Sequence, residues 1–305
     1  MHTPVLLEKV LNKANLEGKK NFIDGTLGLG GHSKKIFEKF PQIKIFGIDQ
    51  DEKNILLAKK NLEKIGKNLK IIKNNFANIE KICEQENIKG EVDCILLDIG
   101  VASTHFDQGE RGFSFQNDGP LDMRMDTTAT KTARNVINNY HEQDLFIIFK
   151  KYGEEPSARK IAKKICEKRK IETIKTSEEL KNLIAEIINP KFLNSTLKRI
   201  FQAIRIEVND ELGVLEKGLE GACEVLAPGG RIIVISYHSL EDRIVKKFFR
   251  NEEKNCICPP IVPICICNKK QRLKITTKKP IIPTEEEIEK NPRSRSAKMR
   301  IAEKI

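Results

Sequence analysis

The chain has 305 residues and carries 55 Lys and Arg against 43 Asp and Glu, which gives a formal net charge of +12. Apolar residues make up 39%, above the range of disordered chains, and no apolar run approaches the roughly 18 residues of a membrane span. Eight cysteines are too few for a disulfide scaffold, and the N-terminus lacks a signal-peptide pattern. We therefore expect a cytoplasmic enzyme with reduced thiols, no membrane contact and an anionic partner.

Positive charge is concentrated in the middle and at the C-terminal end of the chain. The formal charge is +2 for residues 1–108, +5 for 109–208, −4 for 209–243 and +9 for 244–305. This distribution predicts that the second and last segments meet a polyanion, although Lys-rich helices also occur simply as solvated surfaces.

The first 98 residues alternate short strands with amphipathic helices. Strands are predicted at 21–24, 43–49, 69–73 and 93–98, with helices at 32–40 and 52–62. The last of these strands is apolar enough to be buried on both faces. This alternation is typical of a parallel sheet covered by helices.

The alternation ends near residue 100, and helices follow a predicted ordered loop over 101–126. One helix is predicted from about Lys198 to Leu226, where A-P-G-G stops it, and 231–237 returns to strand. We expect an α/β core formed by 1–108 and 206–305, interrupted by an all-α insertion over 109–205. The alternative is that the helices belong to a separate C-terminal half.

The segment D-G-T-L-G-L-G-G-H-S (24–33) follows a strand and opens a helix. Gly28, Gly30 and Gly31 permit a tight turn and close approach of a ligand, while the helix behind them offers backbone N–H groups. Asp49 ends the next strand, where a carboxylate can accept hydrogen bonds from two ribose hydroxyls. These features predict a nucleoside-containing cofactor at the carboxyl edge of the sheet.

Three further residues refine this prediction. Asp24 would repel a pyrophosphate but can pair with the amino group of a methionine moiety, which favours S-adenosylmethionine over a dinucleotide. Phe76, after the third strand, is a candidate for the adenine pocket or an ordinary core residue. Asp98 ends the fourth strand and points at the same edge.

Six blocks, in order along nearly the whole chain, resemble the MraW family of bacterial small-subunit rRNA methyltransferases. They are D-G-T-L-G-L-G-G-H-S (24–33), D-I-G-V-A-S (98–103), E-R-G-F-S-F-Q-N-D-G-P-L-D-M-R-M-D (110–126), R-I-F-Q-A-I-R-I-E-V-N-D-E-L (199–212), S-Y-H-S-L-E-D-R-I-V-K (236–246) and N-P-R-S-R-S-A-K-M-R (291–300). The resemblance implies a class I, Rossmann-like α/β fold with a helical insertion. It also implies methylation of N4 of a cytidine in the decoding region of 16S rRNA, with S-adenosylmethionine as donor and 16S rRNA or the small ribosomal subunit as partner.

The resemblance also assigns site residues. It places Gly30, Gly31 and His32 in the cofactor turn and Asp49 at the ribose. It places Phe76 at the adenine, Asp98 near the methionine end and His105 in the following loop, where the family usually has Gln.

The chemistry requires an acceptor for the weakly nucleophilic cytosine amine. Asp98 is the expected catalytic acceptor, although the prolines and aromatic residue that often follow it in amino-methyltransferases are absent from D-I-G-V (98–101). Asp122 is a second catalytic candidate, as proton acceptor. Candidates for stacking on the base, each with local packing as the alternative, are Phe113, Phe115, Tyr237 and His238.

Basic residues are expected to contact phosphates. They are Arg111, Arg124, Arg199, Arg205, Arg293, Arg295 and Arg300 with the Lys and Arg residues of 269–279. Other functions remain open: an amino-methyltransferase of DNA or another RNA, an NAD-dependent oxidoreductase, or a non-catalytic RNA-binding module. The sequence does not distinguish naked rRNA from an assembled subunit and does not give the oligomeric state.

The C-terminal region contains a cysteine cluster, C-I-C-P-P-I-V-P-I-C-I-C, with Cys256, Cys258, Cys265 and Cys267. Four thiolates can hold Zn²⁺, but C-x-C is tighter than the usual knuckle spacing and the intervening residues are apolar. We expect a loop packed through Ile, Val and Cys without a metal, with a structural metal as the alternative.

Overall fold

The computed structural model describes residues 4–100, 111–259 and 266–305. The chain forms two compact units: Met1–Gly100 together with Leu212–Ile305, and Val101–Glu211. No helix in the described residues is long and apolar enough to cross a membrane.

The first unit, here the sheet unit, is built on a seven-stranded sheet in the order β3-β2-β1-β4-β5-β7-β6. Strands β1 to β5 are parallel, whereas β7 is antiparallel to both β5 and β6. The strands are β1 Asn21–Asp24, β2 Lys44–Asp49, β3 Leu69–Lys73, β4 Val92–Asp98, β5 Leu226–Ser236, β6 Leu273–Ile275 and β7 Lys298–Lys304. The predicted α/β, Rossmann-like class is confirmed.

Both faces of this sheet are buried. In β1, Phe22 enters one apolar cluster and Ile23 the other, and in β4 Cys94 and Ile95 divide in the same way. Because alternate side chains of a strand point to opposite faces, such strands read as continuous apolar runs. The α-helices of this unit are Leu7–Lys13, Gly31–Lys39, Glu52–Asn61, Ile79–Gln85, Glu211–Val225 (from its second residue), Ser239–Glu252 and Glu285–Lys290.

The strand order reverses beside β1. The chain proceeds outward from β1 through β2 and β3, and β4 then lies on the opposite side of β1. In open α/β sheets, ligands bind at the carboxyl ends of the strands beside such a switch point. Asp24, Asp49 and Asp98 end β1, β2 and β4, so this edge carries three carboxylates.

The second unit, here the helical unit, has an apolar core that includes Val136, Ile161 and Ile200. Its α-helices are Ala133–Asn139, Glu142–Lys151, Ala158–Arg169, Ser177–Ala185 and Pro190–Asn209. The Thr176 side chain accepts the N–H of Glu179 and so caps the helix Ser177–Ala185, while the Glu179 carboxylate accepts the N–H of Lys175.

The prediction of one continuous helix from Lys198 to Leu226 is wrong. The structure has two helices, Pro190–Asn209 and Glu211–Val225, because Asp210 takes a left-handed conformation at φ 48° and ψ 40°. A left-handed residue interrupts the right-handed helical path. Arg205 Nε donates to Glu211 Oε1 at 2.7 Å across this break.

Candidate active site

The turn after β1 contains glycines with positive φ, 52° at Gly28 and 78° at Gly30, a conformation that favours glycine. A Cβ on Gly30 would lie 2.5 Å from Leu62 Cδ1, and one on Gly31 would lie 2.6 Å from Pro4 Cγ. The nearest atom to a Cβ on Gly28 would be 3.9 Å away. At Gly30 and Gly31 the missing side chain makes room for Leu62 and Pro4, and a close approach of a cofactor to this turn stays a prediction.

Gly30 and Gly31 nevertheless lie at the start of the helix Gly31–Lys39, and no side chain caps this helix. First-turn N–H groups of a helix have no partner within it. A contact between this turn and the cofactor through backbone N–H groups stays a prediction.

Asp49 is fixed by backbone N–H groups. Its Oδ2 accepts the N–H of Gly28 at 2.8 Å, and its Oδ1 accepts the N–H of Asp51 at 2.8 Å. A carboxylate can accept about four hydrogen bonds in all, so these two are compatible with ribose hydroxyls as further donors. Asp49 therefore joins the glycine turn to the end of β2, and its contact with a ribose stays a prediction.

Asp24 is buried, with 1% of its surface exposed. Its Oδ2 accepts the Ser33 hydroxyl at 2.7 Å and its Oδ1 the Thr26 N–H at 3.3 Å. Burial raises the pKa of Asp24, and the lowering effects of His32 and of these hydrogen bonds do not cancel that rise. In the described part of the chain, neither Lys nor Arg contributes to this balance. A cationic ligand group beside Asp24 would compensate the buried negative charge.

Asp98 is positioned by Tyr237. The Tyr237 hydroxyl donates to Asp98 Oδ1 at 2.8 Å, and the Asp98 N–H donates to Thr26 Oγ1 at 2.7 Å. Burial and then the negative charge of Asp98 raise the pKa of Tyr237 well above its usual range, so its hydroxyl remains a donor. Gly100 accommodates the ring, because a Cβ there would lie 2.5 Å from Tyr237 Cε2.

His32 connects the same edge to the N-terminal segment. Its Nε2 lies 3.0 Å from the Val5 carbonyl oxygen, and its Nδ1 lies 3.9 Å from Asp98 Oδ2. Because a carbonyl oxygen only accepts, Nε2 carries the proton in this arrangement. Both ring nitrogens of His32 therefore face groups of the protein itself, and a contact between His32 and the cofactor stays a prediction.

Phe76 begins the short 3₁₀ helix Phe76–Asn78 and is partly buried. Its ring packs on the helix Glu211–Val225, where a Cβ on Gly218 would lie 2.4 Å from Phe76 Cδ2. Its own Cβ would lie 3.4 Å from a Cβ on Gly25, the first residue after β1. Phe76 therefore borders the glycine turn, and an adenine-binding role stays a prediction.

Asp122 lies in the helical unit and forms a bidentate ion pair with Arg124, Oδ1 to Nε and Oδ2 to NH2, both at 2.7 Å. Although burial acts to raise it, the hydrogen bonds and charge of Arg124 hold the pKa of Asp122 below its ordinary value. Both oxygens serve Arg124, which also donates to Thr127 O and Ala129 O. This geometry gives Asp122 a structural task in its loop and makes it a weak base.

Other predicted residues take different places. Phe113 is buried in the helical core, and Phe115 packs edge-on against Phe201 at 5.6 Å, so both rings serve local packing. The His238 side chain caps the helix Ser239–Glu252. His105 lies outside the described residues.

Several predicted phosphate-binding cations form ion pairs within the chain. They are Arg124 with Asp122, Arg199 with Glu155, Arg205 with Glu211, Arg300 with Asp242, and both Lys269 and Arg272 with Glu252.

Sequence analysis missed a basic surface on the helix Ser239–Glu252, although its basic residues recur at helical spacing. The side chains line an open groove of about 730 Å³ and include Arg243, Lys246, Lys247, Arg250 and Lys254.

The model of the MraW methylase family matches residues 1–305. The chain belongs to the MraW methylase family. It is 49% identical to the ribosomal RNA small subunit methyltransferase H of Carboxydothermus hydrogenoformans, covering 100% of this chain and 98% of the relative. It is 48% identical to the protein of the same name from Caldicellulosiruptor saccharolyticus, covering 100% and 99%. The solved N-methyltransferase NodS from Bradyrhizobium japonicum matches over 99% of this chain and 88% of that one, at 8% identity and a TM-score of 0.40.

This family member is a methyltransferase, and its cofactor is S-adenosylmethionine. The alternative of an NAD-dependent oxidoreductase is thereby wrong. The residues present fit the cofactor: a buried carboxylate without a Lys or Arg partner at Asp24, an open turn at Gly28, and a fixed carboxylate at Asp49.

Proposed function

We propose that this methyltransferase modifies N4 of a cytidine in the decoding region of 16S rRNA. The names of the relatives that match over the full chain support rRNA of the small subunit as substrate. The observation that carries the choice of an amine is the Asp98 carboxylate, held by Tyr237 at the switch point of the sheet, one strand away from Asp24. A carboxylate there can accept an N–H from the amine that is to be methylated.

In this proposal the carboxylates at the sheet edge divide the work of binding. Asp24 pairs with the ammonium of the methionine moiety, Asp49 accepts hydrogen bonds from the ribose, and Phe76 borders the adenine. Backbone N–H groups of Gly31 and His32 contact the methionine end, whereas the Gly30 N–H donates to the Leu27 carbonyl oxygen at 2.7 Å, so Gly30 shapes the turn. The family resemblance adds His105 to this pocket. S-adenosylmethionine supplies a methyl group on a positively charged sulfur that departs with the bonding electron pair.

Asp98 has the catalytic role. The lone pair of the cytosine amine is conjugated with the ring, and an acceptor on its N–H draws that pair toward the methyl carbon. Asp98 would then accept the one proton that the amine loses on methylation and pass it to solvent. Tyr237 acts as a positioning residue, because its hydrogen bond fixes Oδ1 and therefore the plane of the carboxylate. Asp122, paired with Arg124, has no chemical role in this proposal.

RNA binding is assigned to the helical insertion over 109–205 and to the basic groove of the helix Ser239–Glu252. In the described residues, Lys246, Lys247 and Arg250 belong to no ion pair, and all three are exposed. Such cations can replace the counterions of RNA phosphates. The target cytidine must be splayed out of its stack before its amine meets the methyl group.

Nucleoside mass spectrometry of rRNA tests the proposal. Small-subunit rRNA from cells lacking this chain should lose one N4-methylcytidine, which the wild-type gene restores and the Asp98→Ala gene does not. Fragment mapping should place that nucleoside in the decoding region. Loss of a methyl group from another atom, another nucleoside or large-subunit rRNA would contradict the proposal.

A further inference from the structure

Three thiols converge between the helix Ser239–Glu252 and β6. The Sγ atoms of Cys256, Cys258 and Cys267 all lie within 4.8 Å of one another. The Sγ atoms of Cys256 and Cys267 are 3.8 Å apart. We propose that Cys256, Cys258 and Cys267 bind a structural Zn²⁺ ion, a site outside the methyl-transfer machinery.

The distances fit a shared metal ion. Zinc binds thiolate sulfur at about 2.3 Å, so two sulfurs on a tetrahedral zinc lie about 3.8 Å apart. That is the separation of Cys256 and Cys267. A disulfide, in contrast, needs two sulfurs at about 2.05 Å and leaves the third thiol unused. Convergence of three thiols therefore indicates a metal more than a redox pair.

Backbone N–H groups orient two of the three sulfurs. The Ile257 N–H donates to Cys267 Sγ at 3.5 Å, and the Cys258 N–H donates to Cys256 Sγ at 3.3 Å. Second-shell contacts of this kind also orient ligands around a metal. The left-handed Asn268, φ 48°, turns the chain directly after Cys267.

Apolar packing does not account for this convergence. Ile257 and Ile266, which neighbour the cysteines, are 57% and 76% exposed. The expectation of a loop packed through these residues is therefore wrong for the described part of the segment. A metal would instead hold the two ends of the segment together.

Residues on both sides of the cysteine segment already hold its two ends together. Glu252 accepts from Lys269 Nζ at 3.0 Å and from Arg272 Nε, and its carbonyl accepts the Arg272 N–H at 2.9 Å. The metal would add a second link between the two ends of the segment, beside these contacts of Glu252, and would fix the path of the chain that leads into β6. Because β6 is the outer strand, with β7, β5 and β4 between it and β1, the metal should not affect cofactor affinity.

Metal analysis of the full-length protein tests the proposal. Protein purified without chelators and loaded with Zn²⁺ should retain about one zinc per chain after desalting, the stoichiometry of a single site. Cys256→Ala and Cys267→Ala should lose it, whereas the control Cys166→Ala, which changes a cysteine in the helical unit, should keep it. Cobalt loading should give the absorption of tetrahedral thiolate coordination.

A second measurement does not depend on variants. Alkylation mapped by mass spectrometry should show Cys256, Cys258 and Cys267 protected in the zinc-loaded protein and modified after chelation, with S-adenosylmethionine affinity unchanged. The proposal would be overturned if the three cysteines were alkylated equally with and without zinc, or if Cys256→Ala retained zinc. It would also be overturned by an iron–sulfur spectrum, or by a Cys256–Cys267 disulfide in the protein as purified, before any metal is added.

Discussion

Glu155 in the helical unit and Asp24 in the sheet unit are both almost completely buried carboxylates, and their negative charges are compensated differently. Glu155 in the helical unit is 1% exposed and accepts Arg199 Nε at 2.7 Å and the Ser157 N–H at 2.9 Å. Asp24 in the sheet unit is equally buried, but in the described residues it has a hydroxyl and one N–H as donors and neither Lys nor Arg beside it.

The difference distinguishes a buried carboxylate that is neutralised within the protein from one whose negative charge a bound ligand would neutralise. A buried ion pair supplies its own counter-charge, whereas a buried carboxylate with neutral donors remains costly when ionised. The helical unit therefore holds Glu155 at little cost, and the sheet unit carries an unfavourable group at its carboxyl edge. Function explains why such a group persists, since sites are often kept at the expense of stability.

The largest expected effect comes from the third carboxylate at that edge. Asp98→Ala should lower the rate of methyl transfer about 10²–10³-fold, because the preorganised acceptor for the amine is lost. Affinity for S-adenosylmethionine should change little, because Asp24 and Asp49 remain. Single-turnover transfer to small-subunit rRNA at saturating cofactor measures this.

Tyr237→Phe provides the matched variant for Asp98. It keeps the ring that fills the space at Gly100 and removes only the hydrogen bond to Asp98 Oδ1. The rate should fall less, by about tenfold, since a hydrogen bond to a charged group is worth about 1.5–3 kcal/mol and the carboxylate itself remains. If both variants transfer methyl at the wild-type rate, Asp98 has no part in the reaction.

Asp24→Asn should weaken S-adenosylmethionine binding about 10–100-fold, as expected for a charge-assisted hydrogen bond worth about 1.5–3 kcal/mol. Without cofactor, the same variant should be more stable than wild type at neutral pH. The pKa of Asp24 is raised in the folded state, so its contribution is favourable below its unfolded pKa and is lost as the pH rises through the folded value.

Calorimetry and thermal unfolding across pH test both halves of this prediction. The stability advantage of Asp24→Asn should be largest above the folded pKa and shrink toward acid pH, where wild-type Asp24 is protonated. A variant that is less stable at neutral pH yet binds cofactor normally would show that Asp24 resembles Glu155 and serves the fold.

The sequence predicted the sheet well because its signals are local. Short apolar runs between amphipathic helices, a glycine turn after β1 and carboxylates at strand ends can each be read from a few neighbouring residues, and the structure places Asp24, Asp49 and Asp98 at one edge. The helix break at Asp210 escaped prediction because apolar spacing continues across it, and only the backbone conformation reveals the interruption.

Partners distant in sequence account for the rest. The Tyr237 hydroxyl reaches Asp98 across 139 positions, and Gly30 is required by Leu62 rather than by a ligand. Arg199 looked like a phosphate contact because its acid, Glu155, lies 44 residues away. The position of a charged residue in the sequence does not show which opposite charge lies beside it in the folded protein.

Glu155→Gln breaks the comparison from the other side. It should lower the free energy of unfolding by about 1–3 kcal/mol, because Arg199 loses its charged acceptor. Cofactor affinity should stay at the wild-type value. Chemical denaturation with isothermal titration measures both quantities, and Glu178→Gln, at an exposed position, is the control. If Glu155→Gln, and not the control, weakened cofactor binding, Glu155 would not be a purely structural carboxylate and the contrast with Asp24 would fail.

The smallest effect concerns the basic groove, where Lys246, Lys247 and Arg250 are exposed and form no ion pair within the described residues. Replacing Lys246, Lys247 and Arg250 together by Ala should reduce the slope of log K for RNA against log salt by about 2–3, since each phosphate contact contributes about 0.7–0.9. The control removes the same charge at exposed positions elsewhere: Lys59 and Lys60 on the helix Glu52–Asn61, and Lys64 in the 3₁₀ segment Glu63–Asn68 that follows it.

Filter binding across a salt series measures both slopes. Equal slopes for the two triple variants would show that overall charge, and not the groove, governs RNA affinity. A smaller slope for the groove variant alone, with unchanged cofactor affinity, would show that the exposed cations of the groove bind RNA phosphates. The comparison would then extend from the buried carboxylate of Asp24, which a cationic ligand group neutralises, to exposed cations that an anionic ligand neutralises.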